Sequence, residues 1–196
     1  ITGASSDDAS LDTALATAGL GRKDVKVVSV GYNLLPALLA HKVDAVIGVY
    51  RNVEGVELME RGFEATIIPL DRAGIPSYDE LVLVANANRI RTDPAYRDTV
   101  NRFVRAFLLG TSKARGDLHG ALAILRKVTA SDSHFLARAT PATLALLSGP
   151  RGVGCISPAR WQRFGAWMHS RRLLKGAIPA SAVMTTRFLP TRCTRR

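Results

Sequence analysis

The first 86 residues alternate between strand-like and helix-like patterns, and this alternation restricts the chain to few folds. Short apolar runs typical of strands lie at the very start of the chain and at residues 24–31, 44–50 and 64–70. Helical patterns lie between these runs, at residues 5–19, 33–43 and 52–62. Strands that alternate with helices build a parallel sheet covered by helices, so the sequence predicts an α/β fold.

The pattern changes after a turn at residues 74–76. One further apolar strand is predicted at residues 81–85, and helical patterns then predominate. They cover residues 93–110, 117–128, 140–147 and 157–174. The chain is therefore predicted to have an alternating part at residues 1–78 and a mainly helical part at residues 79–196. The tail after Pro190 is predicted to be disordered.

Charge is distributed unevenly along the chain. Residues 1–86 carry 7 Lys/Arg against 12 Asp/Glu, residues 87–196 carry 20 against 4, and the net charge is +11. A basic half suggests nucleic acid or an anionic membrane surface. The basic residues are dispersed, however, and few aromatic residues lie among them to stack on bases, so no nucleic-acid partner is predicted. No apolar run is long enough to predict a transmembrane segment.

The residue types that carry catalysis or bind metals do not show a functional spacing. Cys155 and Cys193 lie far apart and away from any histidine cluster, which predicts two unpaired small hydrophobic residues. The glycine-rich residues 149–154 lack the Gly-Lys-Ser/Thr of a phosphate-binding loop. The sequence therefore predicts no catalytic residue, no metal site and no cofactor.

Small and polar residues follow the first predicted strand. This strand would end at Gly3 and lead to Ser5 and Ser6, which are candidate N-caps of the first helix. The free N–H groups of a helix N-terminus suit a hydrogen-bond acceptor. Ligands of open α/β sheets bind beyond the carboxyl ends of the strands, so this turn is a candidate ligand contact.

The third predicted strand also ends in polar residues, which allow two interpretations. Asn52 could cap the next helix, with Glu54 in its first turn, and this arrangement needs no ligand. Alternatively, the cluster binds a small, flat, hydrogen-bonding molecule. Tyr50 would then offer a stacking face, Asn52 a donor and an acceptor, and Glu54 two acceptors.

Several segments carry a family resemblance. GYNLLPALLAHKVDAVIGVYRNVEGVEL, followed by GIPSYDELVLVANAN, resembles bacterial substrate-binding proteins for thiamine-pyrimidine precursors. That family also contains yeast hydroxymethylpyrimidine phosphate synthase. The most specific signals are KVDAVIG with RN-x-E after it, and P-x-YDELVLVAN about twenty residues later. The opening segment ITGASSDDASLDTALATAGL and the later segments WQRFGAWMHSRRLLK and RFLP are also similar to the family.

The resemblance implies a type II periplasmic-binding-protein fold, with two α/β lobes joined by a hinge. Residues 1–78 would form the complete middle lobe, and residues 79–196 a hinge strand and the C-terminal, mainly helical part of the other lobe. The N-terminal part of that lobe, with its signal or lipid anchor, is expected to be missing. The expected location is the periplasm or the extracellular face of the bacterial cytoplasmic membrane.

The resemblance also implies a function without turnover. The chain would belong to the substrate-binding component of an ABC uptake transporter, with a membrane permease as partner. The ligand would be an aminopyrimidine of the formylaminopyrimidine or hydroxymethylpyrimidine type. The implied contacts are Gly3, Ser5, Ser6, Tyr50, Asn52 and Glu54.

Two other functions stay open at this point. One is a pyrimidine-forming enzyme similar to hydroxymethylpyrimidine phosphate synthase, which would need a lysine and a histidine from outside this segment. The other is a ligand-sensing or nucleic-acid-associated domain, which the basic second half suggests.

Overall fold

The computed structural model describes residues 1–149, 152–190 and 193. Contacts divide the chain into two compact units. Unit 1 comprises residues 1–78 and 159–182, and unit 2 comprises residues 79–158 and the C-terminal segment from Val183. Except for Cys193, the tail that the sequence predicts to be disordered lies outside the described residues.

Most of the regular structure is helical. The helices of the described residues are α1 (Ser5–Thr17), α2 (Leu34–Leu39), α3 (Glu54–Glu60), α4 (Ala87–Thr92), α5 (Pro94–Gly116), α6 (Leu118–Val128), α7 (Ser133–Leu146), α8 (Pro158–Ser170) and α9 (Ala180–Val183). Two 3₁₀ turns lie at Arg22–Asp24 and Leu70–Arg72. The strands β1 (Ser148–Gly149) and β2 (Gly152–Val153) form an antiparallel pair. None of the described helices combines the length and the hydrophobicity needed to cross a bilayer.

The helices predicted from periodicity are confirmed, because the signals that begin and end a helix are local. Gly19 and Gly62 follow α1 and α3 with φ of +73° and +67°, a conformation that ends a helix at little cost for glycine. The side chains of Asp93, Asp117 and Asp132 accept backbone N–H groups at the first turns of α5, α6 and α7. The helix predicted at residues 140–147 is longer, since α7 begins at Ser133.

The predicted strands at residues 24–31, 44–50, 64–70 and 81–85 are wrong as hydrogen-bonded strands. Among the described residues, the only strand ladder is the pair of β1 and β2. Parallel strands are stable when neighbours pair with them and both faces are covered. In this chain their side chains stay accessible: Ile68 is 67% exposed and Val84 is 88% exposed. The predicted α/β class is thus observed as a mostly helical chain with extended connections.

One pair of hydrogen bonds has the pattern of a parallel sheet. The backbone nitrogen of Ile1 donates to the carbonyl of Val28 (3.1 Å), and the carbonyl of Ile1 accepts from the N–H of Val30 (3.1 Å). In a pair of parallel strands, the N–H and the C=O of one residue bond to the two residues that precede and follow the residue opposite it. The start of the chain therefore lies beside residues 28–30.

Unit 1 is held together by contacts between α1, α8 and the turn before residue 78. The indole Nε1 of Trp167 in α8 lies 3.3 Å from the hydroxyl of the buried Thr13 in α1, to which it donates. Phe164 stacks on Tyr78 at a centroid distance of 4.3 Å and on Trp167 at 5.4 Å. These contacts explain why residues 159–182 group with the N-terminal part of the chain.

Unit 2 is built on α5, which contacts α4, α6, α7 and β2. Cys155, after β2, forms a disulfide with Cys193, and their Cα atoms lie 4.9 Å apart. The prediction that both cysteines are unpaired is therefore wrong. Their spacing of 38 residues carries no sequence signal, because folding alone brings them together.

Two helix caps should make the helical content of unit 2 depend on pH. Hydrogen bonds from the N–H groups of Tyr96 and Phe135 hold the pKa of Asp93 and Asp132, respectively, below the usual range of an aspartate. Their stabilisation is therefore present above the ordinary aspartate pKa and is lost as the pH falls through the lowered values. As the first turns of α5 and α7 lose their caps, we expect the helical circular dichroism signal of the whole chain to weaken from about pH 5 downward.

Asparagine at both positions keeps the accepting oxygen and removes the titration. The Asp93→Asn/Asp132→Asn variant should therefore lose less helix signal on acidification than the unchanged chain. Identical acid transitions of the two proteins would contradict a role of these carboxylates.

Candidate functional site

The first candidate contact is the turn before α1. Gly3 has φ of +97°, and a side chain there would meet the hydroxyl of Ser29 at 2.9 Å. The helix begins at Ser5 with Ala4 as its N-cap, so Ser5 and Ser6 are the first two helical residues. Their predicted role as N-caps is wrong. Both are exposed, and no described residue accepts a hydrogen bond from their N–H groups.

Asp7 fixes this turn and brings it next to the third apolar segment. Its carboxylate accepts hydrogen bonds from the backbone N–H of Thr2 (2.9 Å) and from the Thr2 hydroxyl. Both carboxylate oxygens lie 3.4 Å from the position that a Cβ atom would take at Gly48, where φ is +98°. A glycine at this position thus lets the backbone of residues 44–50 approach the first turn of α1.

The second candidate contact is the turn before α3. The Oε2 atom of Glu54 accepts from the backbone N–H of Tyr50 at 2.8 Å, and the carbonyl of Tyr50 accepts from the N–H groups of Val53 and Gly55. The helix begins at Glu54 with Val53 as its N-cap, so the predicted N-cap role of Asn52 is wrong. Glu54 instead closes the turn through its own side chain.

The polar atoms of this turn differ in accessibility. Glu54 is half-buried, and its Oε1 atom has no hydrogen-bond partner among the described residues. Asn52 is half-buried and Tyr50 is 41% exposed. The turn therefore presents a carboxylate oxygen, an amide and an aromatic ring within five residues.

The two candidate turns are neighbours. Gly48, which lies near the carboxylate of Asp7, is two residues before Tyr50, and two residues of extended chain span at most about 7 Å. The N–H groups at the start of α1 are hydrogen-bond donors, and the carboxylate of Glu54 in the neighbouring turn is an acceptor. No pattern in the sequence indicates that Asp7 positions this turn. The left-handed Gly48 opposite Asp7 has no local sequence signal.

A concavity lies next to the Tyr50–Glu54 turn, since Gly55 is part of its lining. It has a volume of about 710 Å³ and is formed by the second half of α3 and residues 62–67, with Leu58, Phe63 and Ile67 among its lining. None of the six predicted contact residues lines it. Residues 1–149, 152–190 and 193 contain no group of three or more His, Cys, Asp or Glu side chains that could hold a metal ion.

A simple substitution tests the positioning role of Asp7. Asp7→Ala removes both hydrogen bonds to Thr2, and we expect it to lower the free energy of unfolding by about 1–2 kcal/mol. Urea unfolding followed by tryptophan fluorescence measures this loss, because Trp161 and Trp167 both lie in unit 1.

The neighbouring acid provides the control. Asp8 pairs with Arg22 at 2.7 Å on an accessible surface, and such a pair contributes at most about 1 kcal/mol. Asp8→Ala should therefore cost less than Asp7→Ala, and an equal or larger cost would contradict the positioning role.

Comparison with known proteins connects this arrangement to a family. Residues 1–117 match the family described as NMT1/THI5 like. A protein of Haemophilus influenzae whose name refers to thiamine biosynthesis is 45% identical over 84 residues, which are 43% of this chain and 27% of that protein. The formylaminopyrimidine-binding protein of Halalkalibacterium halodurans is 36% identical over 77 residues, which are 39% of this chain and 23% of that protein.

The chain thus covers about a quarter of the length of these two curated relatives. The family match extends over more than half of the chain, from the turn before α1 through both candidate turns to the end of α5. On this evidence the chain belongs to the NMT1/THI5-like family, which has a periplasmic-binding-protein-like fold.

Proposed function

We propose that this chain is part of the substrate-binding component of an ABC uptake transporter for a thiamine-precursor aminopyrimidine. The observation that carries the proposal is the proximity of the Asp7 carboxylate to Gly48, which places the start of α1 near the Tyr50–Glu54 turn. The similarity to a formylaminopyrimidine-binding protein supports the ligand class. In this proposal the protein binds its ligand and releases it unchanged.

Each group of the two turns has a partner on an aminopyrimidine. The Oε1 atom of Glu54 accepts from the exocyclic amine or from a protonated ring nitrogen, and bonds to an ionised group are about twice as strong as neutral ones. Asn52 donates to one ring position and accepts from another, and Tyr50 covers a face of the ring. The N–H groups of Ser5 and Ser6 donate to an oxygen or nitrogen acceptor of the ring substituent.

Substitutions at Glu54 test this assignment. Glu54→Ala removes the carboxylate, and we expect it to weaken aminopyrimidine binding by about 2–3 kcal/mol, as for a lost hydrogen bond to a charged group. Glu54→Gln retains an oxygen for the N–H of Tyr50 but loses the charge. The affinity of this variant should lie between those of Glu54→Ala and the unchanged chain. Isothermal titration calorimetry measures all three dissociation constants.

Glu57 provides a matched control on the same helix. Its side chain pairs with Arg61 at 2.5 Å, and only its backbone N–H bonds to the turn, at the carbonyl of Val53, so Glu57→Gln should leave the affinity unchanged. An affinity of Glu54→Ala equal to that of the unchanged chain would exclude Glu54 as a ligand contact.

Uptake and location are part of the same proposal. In a type II binding protein, two lobes close on the ligand and present it to a membrane permease. The disulfide between Cys155 and Cys193 supports a location outside the cytoplasm, because disulfides persist in oxidising compartments. The proposed location is therefore the periplasm or the extracellular face of the cytoplasmic membrane.

A further inference from the structure

We propose a second binding site, within unit 2, for a phosphate-bearing small molecule. A concavity of about 610 Å³ lies between α4, the first turns of α5 and residues 187–188. Its lining consists of three guanidinium groups, one amide, one carboxylate and one aromatic ring, which belong to Arg91, Arg97, Arg187, Asn101, Asp98 and Phe188. The proposal does not depend on the aminopyrimidine function.

The positive charges of this cavity are not neutralised by neighbouring acids. The described ion pairs of unit 2 join Arg89 to Asp93 and Arg102 to Asp98, and no described carboxylate pairs with the three arginines that line the cavity. Asp98 is the one acid in the lining, and it bonds Arg102 at 3.0 Å. The lining itself carries three positive charges and one negative charge.

The arginines bond instead to neutral acceptors, which fix them without cancelling their charge. One terminal nitrogen of Arg97 donates to the carbonyls of Ile90 (3.1 Å) and Arg91 (3.0 Å) at the end of α4. Arg91 donates to the side-chain oxygen of Asn88. Each guanidinium has five N–H donors, so most donors remain available to a ligand.

The third arginine lies on a segment that is covalently held. Arg187 and Phe188 lie close to Pro190, whose carbonyl accepts from the N–H of Cys193 at 2.8 Å. Cys193 is joined by its disulfide to Cys155, after the strand pair that contacts α5. This link keeps Arg187 near α5 without any bound ligand, and a preformed site loses less entropy on binding.

This arrangement favours a phosphate group over a carboxylate. A phosphate monoester carries a charge of about −1.5 to −2 at pH 7, which matches the lining, and the guanidinium fork fits its oxygens in pairs. The amide of Asn101 adds donors, and the half-buried ring of Phe188 gives an apolar surface to the organic part of the molecule. The volume suits a small molecule.

Calorimetric titration of the whole chain with inorganic phosphate and with pyrophosphate tests the site. We expect saturable binding of one anion, tighter for pyrophosphate. Arg187→Ala and Arg91→Ala should each weaken it about tenfold, as expected for a lost charge-assisted hydrogen bond. Arg105→Ala is the matched control, because Arg105 is an exposed residue of α5 outside the cavity, and it should leave the affinity within about twofold.

Three results would overturn the proposal. The first is no saturable binding of either anion by a chain whose circular dichroism is intact. The second is an equal loss of anion affinity in Arg105→Ala and Arg187→Ala, which would indicate nonspecific binding to the basic surface. The third is tighter binding of a single-stranded oligonucleotide that Arg105→Ala and Arg187→Ala weaken alike, since an extended phosphate backbone would then be the partner.

Discussion

Removal of the disulfide between Cys155 and Cys193 is expected to lower the free energy of unfolding of unit 2 by about 4 kcal/mol. The bond closes a loop with a sequence separation of 38 residues, and the chain-entropy model gives this value for a loop of that length. The fully buried Cys193 would also leave its packed position. The measurement is urea unfolding of the Cys155→Ser/Cys193→Ser variant and of the unchanged chain, followed by the circular dichroism of the helices.

A reducing agent supplies the control for this experiment. It should shift the unfolding midpoint of the unchanged chain towards that of the double variant, and it should leave the variant unaffected. Coincident unfolding curves of the oxidised chain and the variant would show that the bond adds nothing to stability.

The substitution Gly74→Ala is expected to destabilise unit 1 by about 2–3 kcal/mol. Gly74 has φ of +88°, and a left-handed conformation costs an alanine about 1–2 kcal/mol. Its Cβ atom would also clash with the hydroxyl oxygen of Thr17. That hydroxyl donates to the carbonyl of Thr13 at 2.9 Å, so rotation away from the clash breaks this hydrogen bond and adds about 1 kcal/mol.

A double-mutant cycle separates the two causes. Thr17→Ala removes the clashing hydroxyl but not the backbone strain, so Gly74→Ala in that background should cost about 1–2 kcal/mol. Tryptophan fluorescence during urea unfolding reports on unit 1. Equal costs of Gly74→Ala in both backgrounds would exclude the clash with Thr17 as a source of the effect.

The helices could be predicted from the sequence, and the pairing of the extended segments could not. A helix such as α1 depends on neighbours within four residues and on a terminating glycine, and both are visible in the sequence. A parallel strand depends on partners distant in sequence. The apolar pattern at residues 24–31 shows that a strand is possible, but among the described residues the parallel pattern is limited to the bonds of Ile1 to Val28 and Val30.

The local surroundings of the candidate residues could be predicted from the sequence, but the proximity of the two turns could not. The positions of Ser5, Ser6 and Glu54 at the starts of helices follow from local patterns, although the N-caps are Ala4 and Val53 and not the predicted residues. The bond from the Tyr50 N–H to Glu54 is local as well, since it spans four residues. The contact between Asp7 and Gly48 spans more than forty residues, so no local pattern indicates it.

The disulfide and the arginine-lined cavity could not be predicted from local sequence patterns either. Both join segments that are distant in sequence: Cys155 meets Cys193, and Arg187 meets the helix that begins at Pro94. The sequence showed the excess of arginine in the second half. Only the structure shows which arginines line one concavity without acidic partners.

The most direct test of the central claim is calorimetric titration with a matched pair of ligands. One is 4-amino-5-aminomethyl-2-methylpyrimidine, and the other is the same molecule without the 4-amino group. The chain should be titrated with each ligand in turn. We predict saturable binding of the aminopyrimidine, with at least about tenfold weaker binding of the ligand that lacks the amine. Absence of binding of the aminopyrimidine, or equal affinity for both ligands, would contradict the proposed recognition of an aminopyrimidine.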